Sequence, residues 1–125
     1  MTGLCVQGVM KRLRNHFIGI DQGEAALFSD FEDNGPMWSK TGPRVCHVPV
    51  VFSAPFKALP TVHVSLSMWD IDTGTNARMD IKGEAVSLTG FDIVFRTWGD
   101  TRVARARASW MAFGELRDTD EWDLY

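Results

Sequence analysis

The chain has 125 residues, of which 45% are hydrophobic, with 13 basic and 16 acidic side chains and a formal charge of -3. That is one domain's worth of chain, with apolar material for a core but too little length for a second functional unit. No apolar run approaches the roughly 18 residues of a membrane helix, and a mixed, slightly acidic charge argues against a binder of nucleic acid or anionic membrane; neither nucleic acid nor membrane insertion is expected.

Residues 1–15 read as a poorly ordered or arm-like segment, with Lys11, Arg12 and Arg14 as a solvated basic stretch. No positive n-region followed by an apolar h-region precedes them, so synthesis in the cytoplasm is expected, and Met10 is an alternative start to Met1. Cys5 and Cys46 are open to pairing. Cys5 falls in the irregular segment, however, and a chain of this size needs no staple, so the reduced form is favoured. No Asn-x-Ser/Thr acceptor occurs, in keeping with a bacterial-type product.

Strand signals dominate from there on. Residues 18–21 are compatible with a strand, and residues 29–35 form an acidic loop ending in Asn-Gly-Pro, a strong turn signal. Residues 48–52 are short and β-branched, with Pro49 near the start. Residues 61–68 alternate, with Val62, Val64, Leu66 and Met68 on one face and Thr61, His63, Ser65 and Ser67 on the other. Residues 77–86 set Met79 and Ile81 against Arg78, Asp80 and Lys82. Residues 91–97 set Phe91, Ile93 and Phe95 against Asp92, Val94 and Arg96. The last run places Ala104, Ala106, Ala108, Trp110 and Ala112 opposite Val103, Arg105, Arg107, Ser109 and Met111, and Trp110 is expected to be largely buried. Short alternating strands between Gly, Pro and Asp turns predict an antiparallel sandwich or barrel. Residues 115–125 form an acidic tail whose Leu116, Trp122, Leu124 and Tyr125 are costly to leave in water: a loose end, or an arm that docks on a neighbour.

Asp70, Asp72, Gly74 and Asn76 have the look of a calcium loop, but an EF-hand begun at Asp70 needs a bidentate carboxylate at residue 81, which is Ile81. A turn-forming loop is the expectation. His16, His47 and His63 have no partner at ligand spacing, so no metal and no cofactor are expected. No nucleophile elbow or His-Glu-x-x-His helix raises catalysis above background, and the chain is read as a non-enzyme. Arg102, Arg105 and Arg107 read as the wet or inter-subunit face of a strand. Trp98, Asp100 and Arg78 form a better set. A sugar presents paired hydroxyls, which suit guanidinium and carboxylate, and an apolar C–H face, which suits an aromatic plate. The same residues fit equally well a Trp folded over a hairpin edge beside an ordinary Arg–Asp surface pair.

Several blocks, in order, resemble the H-type lectin domain of invertebrate agglutinins and discoidins: VVFSAPFKALPTVHVSLSMWDID (50–72), TNARMDI (75–81), LTGFDIVFRTWGDT (88–101) and SWMAFG (109–114), with a weaker GIDQG (19–23). The resemblance implies an all-β, six-stranded antiparallel β-sandwich over residues 16–114. It also implies a homotrimer that binds galactose- or N-acetylgalactosamine-type glycans in clefts between protomers, with no required metal. Carried over by position, the sugar-binding arginine is Arg78 and the tryptophan is Trp98, with Gly99 and Asp100 shaping the pocket.

Three positions depart from the pattern. The histidine after the tryptophan is Gly99, the aromatic early in the last strand is Ala104, and the loop that presents a Gly and an Asp to the sugar reads Ser39, Lys40, Thr41 and Gly42. Gln22 and Phe95 stand where the agglutinin disulfide has its cysteines. The fold and assembly are therefore expected to carry over better than the sugar preference. The alternative is a structural, adsorption or decoration subunit of a phage-like particle, with weak or lost sugar binding, acting outside the cell or on a released particle.

Overall fold

A computed structural model describes residues 6–118. Alternating apolar positions become strands β1 (Ile18–Ser29), β2 (Arg44–Val51), β3 (Thr61–Ile71), β4 (Met79–Glu84), β5 (Gly90–Thr97) and β6 (Val103–Glu115). They form two antiparallel three-stranded sheets, ordered β1-β6-β3 and β2-β5-β4. The architecture is the expected six-stranded sandwich.

The two inner faces are complementary in size. The central strand β5 contributes the fully buried Ile93 and Phe95 with Phe91, and the central strand β6 faces them with Ala106, Ala108 and Ala112. Large side chains against alanines let sheets spaced by about 10 Å interdigitate without voids. At one end of the core an aromatic cluster joins Phe52, Phe56, Phe91 and Trp110, with ring centroids 5.1 Å apart for Phe52–Phe56 and 5.6 Å for Phe91–Trp110.

Three sequence expectations need correction and one, the burial of Trp110, holds. Trp110 packs against the core as expected, one side on Phe52 and Phe91, and its indole lies over Gly23, where a Cβ would come within 3.0 Å of the ring nitrogen. Val103 belongs to the core and not to the polar face. A register irregularity sets Ile71 opposite Val103 and Asp70 opposite Arg105, so the extra residue, Ala104, lets two successive side chains turn inward. The first strand runs on to Ser29, because β6 supplies pairing partners from Glu115 to Arg105 along its whole length. The acidic loop is structured: two single helical turns, α1 (Asp30–Asp33) and α2 (Pro36–Ser39), are joined through Asn34 at φ +53°.

Chain segments flanking the sandwich are tied to it. Lys11 Nζ donates to the carbonyls of Leu59 and Pro60, the Arg14 amide donates to Glu115, and Leu116 packs into the core end beside Gly19. Cys5, Trp122, Leu124 and Tyr125 lie outside the described residues. Cys46 is a free thiol, its pKa pushed up by burial and by the nearby charge of Asp30.

Candidate functional site

Arg78, Trp98, Gly99 and Asp100 meet at one end of the second sheet, where β5 ends at Thr97, the tip 98–102 crosses over, and β4 begins at Met79. All four residues are exposed, Trp98 by 42%. Two buried threonines anchor this tip through main-chain atoms. Thr97 Oγ1 donates to the Arg78 carbonyl at 2.6 Å, and Thr101 Oγ1 accepts the Arg78 amide at 3.0 Å while donating to the Asn76 carbonyl at 2.5 Å.

Gly99 has φ +69°, a backbone conformation that L side chains rarely adopt. Its carbonyl accepts the Gly42 amide at 2.8 Å and an Arg44 Nη2 N–H at 3.4 Å. Arg44 donates further to the carbonyls of Gly42 (2.8 Å) and Met37 (3.1 Å), so a single guanidinium binds the 36–42 loop to the tip. Burial lowers the Arg44 pKa from its ordinary value, although a guanidinium remains charged at any physiological pH.

Asp100 accepts the Asn76 amide on both oxygens, at 3.2 and 3.3 Å. That hydrogen bonding, with the charge of Arg78 adding to it, holds the Asp100 carboxyl below the usual aspartate range. Among the described residues no hydrogen bond or ion pair holds the Arg78 guanidinium. Beside Trp98 a groove of about 330 Å³ opens between Pro43, Arg44, Val45, Arg96 and Thr97.

Sequence reasoning missed Arg44, Asn76, Thr97 and Thr101 as parts of this construction. Asn76 was visible only as a member of the calcium-like loop, whose side chains are engaged elsewhere: Asp72 with Arg102 at 3.0 Å and with the Gly74 amide, Asp70 with Arg105 at 3.0 Å. Arg102 also stacks on Trp38, its guanidinium carbon 4.0 Å from the ring centroid, which fixes α2 against the tip. Ala104, the position of the aromatic in the lectin pattern, is buried beneath the tip and does not face the groove.

The family model for the H-type lectin domain matches residues 47–113, from within β2 to within the last stretch of β6. The chain belongs to the H-type lectin domain family. It is 52% identical over 107 residues to the ATP synthase subunits region ORF 7 protein of Fuscovulum blasticum, covering 86% of this chain and 93% of that one. It is 33% identical over 81 residues to a discoidin-1 polypeptide of Dictyostelium discoideum, covering 64% of this chain. This lectin-like chain spans about a third (32%) of that discoidin's length. Its fold is similar to that of discoidin II from the same organism, with a TM-score of 0.69 over 82% of this chain and 39% of that one, at 24% identity.

Proposed function

We propose that this H-type lectin domain is a non-catalytic carbohydrate-binding module that works as a homotrimer, with Arg78, Trp98, Gly99 and Asp100 forming the glycan contact. The observation that carries this reading is an exposed indole on a tip whose main chain is pinned by Thr97, Thr101 and Arg44. A pre-positioned aromatic plate with an unengaged guanidinium beside it suits a pyranose, because the ring's C–H face stacks and its hydroxyls accept from the fork.

Trimer formation is supported by the outer face of the β1-β6-β3 sheet. There Ile18, Ile20, Met111 and Phe113 are 47%, 66%, 42% and 38% exposed, an apolar strip that continues into a depression where Met111 and Trp110 meet Gln22, Glu24, His63 and Ser65. Contiguous apolar surface of this kind favours self-association. Three shallow sites on one rigid particle would gain about 10² to 10⁴ in avidity on a multivalent glycan surface.

A glycan array probed with the purified protein tests the function. Binding to galactose-type or other glycans, lost in Trp98→Ala, is the expected result. A wild-type protein that binds no glycan would replace the lectin reading with that of an assembly or particle component built on the lectin fold.

A further inference from the structure

The groove beside Trp98 is lined by two guanidinium side chains, Arg44 and Arg96, and by no carboxylate. Arg44 is held by the carbonyls of Gly42, Met37 and Gly99, which orient it without neutralising it. Arg96 donates to Glu84 at 2.7 Å, and Glu84 lies 3.9 Å from Lys82, so one carboxylate is shared between two cations. Asp80 also acts on Arg96. Among the described residues no ion pair compensates Arg44, so its charge stands in the groove beside the exposed indole.

We propose that this groove binds the anionic residue of an acidic glycan, a hexuronate, whose ring stacks on Trp98 while its carboxylate is received by the guanidiniums of Arg44 and Arg96. The proposal rests on the carbohydrate-binding reading above and narrows its ligand class. A carboxylate is planar and matches the guanidinium fork in two parallel N–H···O bonds, whereas the hydroxymethyl group of a neutral hexose offers no charge to meet it. Val45, 51% exposed on the opposite wall, supplies the apolar rim that keeps the stacked ring from tilting away.

Calorimetry on the whole protein with matched methyl glycosides tests this: galactoside, galacturonoside and galactoside 6-sulfate, with the glucoside and glucuronoside as a second pair. The expected result is at least about tenfold tighter binding of a uronate than of its neutral partner at low salt, narrowing several-fold in about 0.5 M salt as the charges are screened. Arg96→Gln should shrink that acid preference, and Val45→Glu, which adds a carboxylate to the exposed wall, should remove it. Neutral sugar bound as tightly as its uronate would overturn the charge assignment while leaving the lectin reading standing. Tight binding of the sulfate alone would overturn the carboxylate in favour of a tetrahedral anion. If none of the glycosides binds, the lectin reading fails and this proposal fails with it.

Discussion

A Cβ placed on Gly99 would sit 3.4 Å from Cδ and 3.5 Å from Nε of Arg78, so the stem of the arginine lies directly over the glycine. With φ at +69°, the histidine of the lectin pattern cannot be restored here without backbone strain. Gly99→His should therefore destabilise the protein by about 1 to 3 kcal/mol and displace Arg78, with Gly99→Asn costing less because asparagine tolerates this conformation better. Thermal unfolding of both variants checks it; a His variant as stable as wild type would mean that the tip relaxes to a negative φ.

Trp98→Ala and Arg78→Ala should each weaken glycan binding by about tenfold or more, since stacking and a charge-assisted fork are each worth about a kcal/mol or more at such a site. Both side chains are exposed and the tip is held through main-chain atoms. Their unfolding midpoints should stay within about two degrees of wild type. Titration calorimetry paired with a melting curve separates lost contact from lost fold.

Asp100 titrates below its ordinary value of 3.8, first because the Asn76 side chain hydrogen-bonds its charged form and also because Arg78 is near. A carboxylate whose folded pKa is depressed adds stability above its unfolded pKa and loses it as pH falls through the folded one. The tip should thus be intact at neutral pH and loosen only below pH 3.8. A carboxyl-carbon NMR titration should show an Asp100 midpoint under the ordinary value, shifted upward in Asn76→Ala. An unmoved midpoint in that variant would exclude the amide as the cause.

Phe95 has no exposed surface, so Phe95→Ala should cost about 3 to 5 kcal/mol in urea unfolding. Trp110 keeps one side in the sheet-face depression and should cost less, about 2 to 3 kcal/mol, on truncation. Equal losses would place Trp110 deeper, as an interface closing over it in the trimer would do.

On a calibrated sizing column with light scattering, the wild type should elute as a trimer and Ile20→Glu as a monomer. Ile20 is 66% exposed in the single chain, so the change leaves the protomer's own core untouched. A trimeric Ile20→Glu protein would move the interface to another face.

The alternation of residues 61–68, 91–97 and 104–113 was legible because half-buried strands imprint a period of two on the chain. The second half of β1 was not. Its Gln22, Gly23, Glu24, Ala25 and Ala26 have little intrinsic strand preference, and they are extended because β6 is there to pair with them. Val103 was misplaced because one bulged residue reverses the facing of what precedes it. At the site, Trp98 and Arg78 stood out as residue types, and the lectin pattern named them. The parts that hold them in place did not stand out. Arg44 is 55 residues from the Gly99 carbonyl that it binds, and Thr97 and Thr101 act on peptide groups that carry no residue-specific mark.

Because Thr97, Thr101 and Gly42 grip the tip by its peptide groups, the side chains at positions 78 and 98 are free of any duty in holding it there. On the carbohydrate-binding reading proposed above, ligand preference would drift by exchange at these two positions without repeated re-engineering of the loop. The sandwich end behaves as a socket with replaceable contacts, and a lineage that changes its target surface need alter only what is plugged into it.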